Sequence, residues 1–543
     1  MANDPAPTDS PAPASSPSEL STTDSTLPHR VDVLVVGVGF GGLAALHRLR
    51  EDHSDLDVLA IERAEGAGGV WRENDYPGAA CDVPTSLYSL SFAPNPDWSH
   101  TYGRQAEIHD YLVRVAADHA DRIRYRCAMT AAFWDAEHAE WIVTTDTGIV
   151  RCTYLVAAPG ALSAPGEPTV PGADEFAGTS FHSARWDHSQ DLTGRRVAIV
   201  GTGASAVQIV PEIVDRVGQL TVFQRTPAWV VPRVDRTIGE LERSVYRRIP
   251  AIHRLVRLLV WAYREIYVVL MARRPRLLPV ASALGRAQLR LQVRDRALRR
   301  RLTPDYTIGC KGMLLTNKWF PALQRPNVAV TGALTALTEH GAVDDAGVEH
   351  PIDTVVWATG FTPTEPPIAR VIRGRTGQTL AETWNGSPNA YRGTSIHGFP
   401  NLFLFYGPNT NLGHSSIVLM LEPQAAYVSA TIGHLQTHGR STVEVTAQAQ
   451  RDYNSGLDTE LAGTVWNAGG CSSWYIDASG RNSVMWPTYT RTYRRLMSQF
   501  EPADHLLDTA PPPTPLVVTE TDRTQVDLGE VDRTDTDRTE VSG

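Results

Sequence analysis

Apolar runs in this chain twice lead straight into glycine and then into residues at helical spacing. Val31–Val36 runs into GVGFGG at Gly37–Gly42, with a helical pattern from Leu43. Val197–Val200 runs into GTGASA at Gly201–Ala206, again followed by a helix. Strand, tight turn and helix in that order predict a βαβ nucleotide fold each time. Between them, an amphipathic helix begins near Ala106, and residues 133–160 alternate as a three-stranded meander returning to the first fold. Residues 233–305 change character: Leu258–Tyr263 and Ile266–Ala272 are apolar at helical spacing, interrupted by Arg264 and Glu265. A last apolar strand ends in ATGF at Phe361.

The pattern predicts an α/β protein with two Rossmann-like dinucleotide-binding domains and a helical insertion in the second. The first domain is expected over 30–160 and 376–504, and the second over 161–375 with its insertion at 233–305. Residues 1–29 and 505–543 are rich in Pro, Ser, Thr and Asp, and read as a disordered leader and tail.

Composition narrows the partners. A net charge of −10 argues against nucleic acid. No run reaches the roughly 18–20 apolar residues of a membrane span, although the insertion can rest against a membrane surface. Neither a signal peptide nor a metal-ligand spacing is visible. Cys81, Cys127, Cys152, Cys310 and Cys471 form no CxxC pair, so five reduced thiols in a cytoplasmic protein are expected.

Each glycine turn carries chemistry. Gly37 allows the first turn, Gly39 lets a pyrophosphate approach the backbone, and Gly42 lets helix and strand pack. The next strand, Val58–Ile61, ends in Glu62, 20 residues after Gly42, where a carboxylate can accept from a ribose. In the second fold, Gly201, Thr202, Gly203, Ser205 and Ala206 make the turn, but the following strand leads to Arg225. An arginine there complements a 2′-phosphate, so this fold should prefer NADPH over NADH. Lys311 can also reach a phosphate. Next to the first turn, GGVWRENDYPGAACD offers Gly68 and Gly69 for close backbone approach, Trp71 and Tyr76 as aromatic surface, and Asp82 as a carboxylate beside the cofactor. Tyr88 and Gln105 follow as further candidates at this site. FAGTSFHSARWD, Phe176–Asp187, lies between the two turns and is expected to keep two cofactors in register.

With these residues placed, the chain resembles the type I Baeyer–Villiger monooxygenases, class B flavoprotein monooxygenases that use FAD and NADPH. Phe176, Gly178, His182, Trp186 and Asp187 meet the fingerprint FxGxxxHxxxW(P/D). Gly68, Trp71, Tyr76, Pro77, Gly78 and Asp82 meet a second one, and both glycine turns and ATGF stand in family order over roughly residues 31–500. The resemblance implies that FAD sits on the first fold, contacted by Gly37, Gly39, Gly42, Glu62, Gly69, Trp71, Asp82, Tyr88 and Gln105. NADPH sits on the second, with Arg225 and Lys311 at its 2′-phosphate. It implies oxidation of a ketone to an ester or lactone by O2 through a C4a-peroxyflavin; the long Leu/Arg insertion points to a bulky or apolar ketone as the small-molecule substrate. Asp82 would orient the charge network at the flavin, and His182 would couple the domains.

One position departs. The family reads GCKR, and this chain reads GCKG, with Gly312 where the active-site arginine is usual. Three outcomes follow: another arginine, from the insertion or Arg392, fills the space; a protonated peroxide oxygenates nitrogen or sulfur instead; or the enzyme is an uncoupled NADPH oxidase. Two other classes sit further off. A disulfide reductase also pairs two nucleotide folds but needs a CxxC, and a non-catalytic binding role rests on Gly312 alone.

Overall fold

The computed structural model describes residues 27–508 except 167 and 472. The expectations for 1–26 and 509–543 lie outside the described residues. Two sheets carry the architecture. In the first, β1 (Arg30–Val36) is flanked by β2 (Val58–Ile61) and β6 (Gly148–Ala157), both parallel to it. Its centre is wholly buried, which is why its sequence is nearly all apolar instead of alternating. The helix α1 (Phe40–Asp52) crosses between β1 and β2 and buries Leu43, Leu46 and Leu49.

The predicted meander is present. β4 (Met129–Asp135) and β5 (Glu140–Thr145) pair antiparallel with each other, and β5 with β6. Beyond β2 lies β3 (Ile123–Arg124), reached through α2 (Gln105–Ala117).

The second sheet is all parallel, in the order Val328–Thr331, β9 (Gln219–Phe223), β8 (Arg196–Val200), Thr354–Trp357, β7 (Thr179–His182). Its crossover helix, α3 (Ala204–Ile213), buries Ala206, Val207, Ile209, Val210 and Ile213 against the sheet. The insertion is helical as expected: α4 (Glu240–Arg248), α5 (Pro250–Val268), α6 (Leu278–Gln292) and α7 (Arg296–Arg301). The chain then returns to the first sheet. Leu402–Leu404 pairs with the C-terminal end of β6, and the long helix α8 (Val418–Thr437) packs on α1 through buried Leu421, Val428 and Ile432.

Two boundaries move. His505–Asp508, grouped by composition with the tail, forms an antiparallel strand with Thr442–Val445. At the other end the His29 carbonyl accepts from the Arg151 N–H at 3.0 Å, which continues the β1–β6 ladder. In both places a few residues of ladder pairing outweigh a polar composition. No helix among the described residues is long and apolar enough to cross a membrane.

Candidate functional site

The two folds are built alike at their turns. Gly37 (φ +100°) and Gly201 (φ +115°) both adopt a conformation that L side chains avoid. A Cβ on Gly37 would stand 2.5 Å from the Ala158 carbonyl oxygen, and one on Gly201 2.4 Å from that of Ala358. Each first glycine therefore lets its turn sit on the end of the sheet's returning strand. Neither α1 nor α3 has a side-chain N-cap; Gly39 and Gly203 occupy those positions. The first-turn N–H groups are left to an outside acceptor, the arrangement that binds phosphate.

In the first fold a second glycine pair completes the cradle. A Cβ on Gly69 would lie 3.2 Å from the Gly39 Cα, so the GGVW loop closes over the turn with backbone only. That space fits the pyrophosphate of a dinucleotide. Glu62 is buried and fixed: Val38 N–H donates to one carboxylate oxygen at 2.8 Å and Ala64 N–H to the other at 3.0 Å. It braces the turn, and each oxygen keeps a lone pair for a ribose hydroxyl. Trp71 donates its indole N–H to the Tyr88 hydroxyl at 2.9 Å, and Tyr88 packs edge-on against Phe40. Burial pushes the Tyr88 phenol well above its ordinary range, so it stays neutral. Gln105 opens α2 and donates to the Trp71 carbonyl at 2.5 Å. These residues form one connected wall.

In the second fold, Thr202 donates to the Thr226 carbonyl at 2.9 Å, tying the turn to the segment that carries Arg225. Arg225 is exposed two residues past β9. Lys311 is half-buried, and its pKa is lowered first by that burial and then by the charge of Arg225. Asp305 opposes the shift more weakly. Two cations close enough for the charge of one to act on the other suit a phosphate dianion.

Asp82 faces outward from the loop that joins the folds, and its carboxylate makes no hydrogen bond among the described residues. Around it lie Tyr406 and Tyr475, both buried phenols held neutral mainly by burial, with the Asp82 charge adding to the effect. A Cβ placed on Gly312 would meet nothing closer than the Tyr475 hydroxyl, at 3.8 Å. A Cβ therefore has room at this position, with a phenol hydroxyl beside it.

Two arginines reach this loop from elsewhere. Arg264, on α5 of the insertion, donates to the Asp82 carbonyl at 3.0 Å, and Arg233 donates to the Cys81 carbonyl at 3.2 Å. Arg233 also faces Asp235 at 3.6 Å, whereas Arg264 has no carboxylate partner among the described residues, and its Nε is buried without a hydrogen bond. Arg392, the other arginine considered from sequence, is elsewhere. It is buried against Tyr391 and Tyr427 and donates to the carbonyls of Leu496 and Gln499 at 2.9 and 2.6 Å.

The segment expected to coordinate the folds, Phe176–Asp187, contributes its strand to the second sheet. β7 forms the edge of the second sheet, and Gly178 is required there because a Cβ would stand 2.4 Å from the Asp353 carbonyl oxygen. His182 accepts from the Ala184 N–H at 3.0 Å and meets Phe361 of ATGF edge-on at 6.0 Å. Just beyond, His188 pairs with Asp75, which immediately precedes the YPGAACD loop, at 2.8 Å.

The sequence reading missed Gln208. Its amide lies on α3, accepts from the Tyr76 hydroxyl at 3.0 Å and donates to the Ala80 carbonyl at 2.9 Å, joining the folds directly. Gly78 makes the approach possible, since a Cβ would stand 2.6 Å from the Gln208 carbonyl oxygen. A polar residue in the apolar face of α3 was the available signal.

The expectation of five free thiols is corrected. Cys310 and Cys471 form a disulfide across 161 residues, and Cys81, Cys127 and Cys152 remain free and buried. The loop before Lys311 packs on the 469–471 turn, with Thr307 N–H donating to the Gly469 carbonyl at 3.1 Å, which brings the two sulfurs together. Thiol titration of the denatured protein should count three thiols without reductant and five with it; five in both would place the pair as free thiols in solution.

With this geometry the comparisons are specific. Residues 35–104 match the family described as NAD(P)-binding Rossmann-like domain, and residues 83–253 match pyridine nucleotide-disulphide oxidoreductase. A Baeyer–Villiger monooxygenase of Streptomyces coelicolor is 44% identical over 504 residues, 92% of this chain and 97% of that protein. This chain belongs to the Baeyer–Villiger monooxygenases. A second member, from Pseudomonas aeruginosa, is 40% identical over 486 residues, 88% of this chain and 92% of its own length. The solved structure of an oxidized steroid monooxygenase bound to NADP superposes with a TM-score of 0.78 at 31% identity, covering 88% of this chain and all of that one. Membership makes the protein an oxidoreductase of the FAD- and NADPH-dependent monooxygenase class, and its two dinucleotide-binding folds are those of that class.

Proposed function

We propose that this Baeyer–Villiger monooxygenase oxidises a bulky, apolar ketone to an ester or lactone, with FAD on the 30–160 and 376–504 domain and NADPH on the 161–375 domain. The observation that carries the reading is the meeting of both folds at one loop: YPGAACD is tied to α3 by Gln208 and presents Asp82 beside Tyr406, Tyr475 and Lys311's loop. FAD, when bound, supplies the site for hydride acceptance and O2 activation. The protein's own residues bind, orient and exclude water. The capless N-termini of α1 and α3 take the two pyrophosphates, Glu62 holds the first turn and a ribose, and Arg225 with Lys311 takes the 2′-phosphate. Trp71, Tyr88 and Gln105 wall the flavin side, and His182 holds the edge of the second sheet against ATGF.

Gly312 leaves negative charge developing at the reacting oxygen without the family's usual guanidinium. In this reading Arg264 supplies it from the insertion, because it is the cation at the Asp82 loop that no carboxylate neutralises. The similarity to a steroid monooxygenase supports a large, apolar substrate, and a cytoplasmic location goes with NADPH as reductant. The test is to supply FAD, NADPH and O2 with a panel of cyclic, steroidal and aliphatic ketones and of sulfides. One oxygen atom gained by a ketone per NADPH is expected. Oxidation of sulfides with every ketone inert would replace the reading with heteroatom oxygenation, which the phenol-lined space at Gly312 favours.

A further inference from the structure

Helix α5 packs Val260, Trp261 and Val268 inward, yet it also turns an apolar stripe outward. A surface helix normally buries its apolar stripe and shows its charges to water. Here Arg257 points inward and donates to the Ser86 and Ser89 carbonyls at 2.8 and 2.9 Å, and Glu265 accepts from the Thr490 hydroxyl at 2.7 Å. The outward positions are Ile252, Leu255, Leu259 and Ile266, spaced three, four and seven apart, with Leu259 60% exposed. Helix α6 repeats the arrangement: Leu277, at its start, then Val280, Leu284 and Leu291 fall on one exposed stripe, Leu291 at 82%. Of 21 exposed large apolar side chains among the described residues, thirteen lie in residues 233–305. Such a concentration costs stability in water and marks a surface that something covers.

Charge says what covers it. Residues 233–305 hold 18 arginines and no lysine against six acids, a net +12, in a chain whose total is −10. The remainder therefore carries −22. Arg254, Arg274, Arg276 and Arg290 are exposed and form no ion pair with a described residue. The turn between the two apolar stripes contains Arg273, Arg274 and Arg276. A second copy meeting this face symmetrically would set arginines against arginines. A bilayer with anionic headgroups satisfies both features at once, taking the leucines into the acyl boundary and the guanidiniums at the phosphates.

We propose that the α5–α6 face docks on an anionic phospholipid membrane surface without spanning it. This is independent of the reaction assigned above. The test is co-sedimentation of the FAD-loaded full chain with vesicles of phosphatidylcholine alone and of phosphatidylcholine with about one third phosphatidylserine. Binding at least ~10-fold tighter to the anionic vesicles is expected, weakening as salt screens the arginines. The variant L255D/L259D/V280D should lose vesicle binding while keeping FAD content and NADPH oxidation, since these side chains are exposed and touch no part of the nucleotide sites. Equal sedimentation by wild type and variant, or none by wild type, overturns the proposal. So does a wild-type dimer that the variant turns into monomer with no vesicle binding, which would give the face to a second copy.

Discussion

Alanine at both Arg225 and Lys311 is expected to remove the preference for NADPH. Each cation contributes a charge-assisted contact to the 2′-phosphate, of about 1.5–3 kcal/mol. The single variant Arg225→Ala should raise KM for NADPH roughly 10- to 100-fold, at about 1.4 kcal/mol per tenfold. KM for NADH should stay within about a factor of two, because that cofactor offers the two side chains nothing to bind. The double variant should make the two cofactors nearly equal.

The pair also predicts a pH dependence. Burial and Arg225 lower the Lys311 pKa, and phosphate binding requires the lysine charged. Affinity for NADPH is thus complete below the Lys311 pKa and falls as pH rises through it. Removing Arg225 removes one of the causes of the lowering, so the falling limb should move to higher pH in Arg225→Ala. Measuring KM for both cofactors against pH in the three proteins decides it. An unchanged NADPH to NADH ratio in the double variant would place the 2′-phosphate elsewhere.

What could be read from the sequence follows from the range of the forces involved. β1, α1, β8 and α3 were legible because local signals agree there: apolar strand, glycine with positive φ, helical spacing. Arg225 was legible because its place relative to a strand end is itself a local fact. Gln208 was not, since its value lies in a contact 128 residues away at Ala80, and the helical pattern around it shows only one polar residue on an apolar face. The Cys310–Cys471 bond was hidden by the same distance, 161 residues, and by the absence of any short cysteine motif. The insertion was legible as helix but not in orientation. Periodicity places Leu255, Leu259 and Arg257 on opposite sides of α5 without saying which side faces the protein. Carbonyls waiting at Ser86 and Ser89 settle that, and they belong to the other domain.

Arg264→Ala is expected to separate reduction from oxygenation. The side chain donates to the Asp82 carbonyl at 3.0 Å, has no carboxylate partner among the described residues, and stands on a helix that the fingerprints do not include. A preorganised charge beside a developing oxyanion in a water-poor site contributes about 3–4 kcal/mol, or roughly 10²–10³ in rate. Ketone turnover should fall by about that factor, with NADPH consumption diverted to hydrogen peroxide. FAD affinity and the anaerobic rate of flavin reduction by NADPH should change little, because neither nucleotide cradle includes Arg264. The midpoint potential of the bound FAD should shift negative, since a nearby cation favours the reduced, more anionic form. That readout does not depend on turnover and would not move if Arg264 only braced the loop. The double variant R264A/G312R supplies the control. A Cβ at Gly312 meets nothing closer than the Tyr475 hydroxyl, at 3.8 Å, and G312R returns an arginine to the position usual in the family. Coupling and potential should both recover toward wild type. If Arg264→Ala leaves coupling and potential unchanged while wild type oxygenates ketones, the compensating charge is not Arg264. If wild type itself oxygenates no ketone, the fault lies with the substrate reading. Recovery in the double variant would show that one guanidinium is required near Asp82 and that this chain moved its origin from the GCK loop to helix α5.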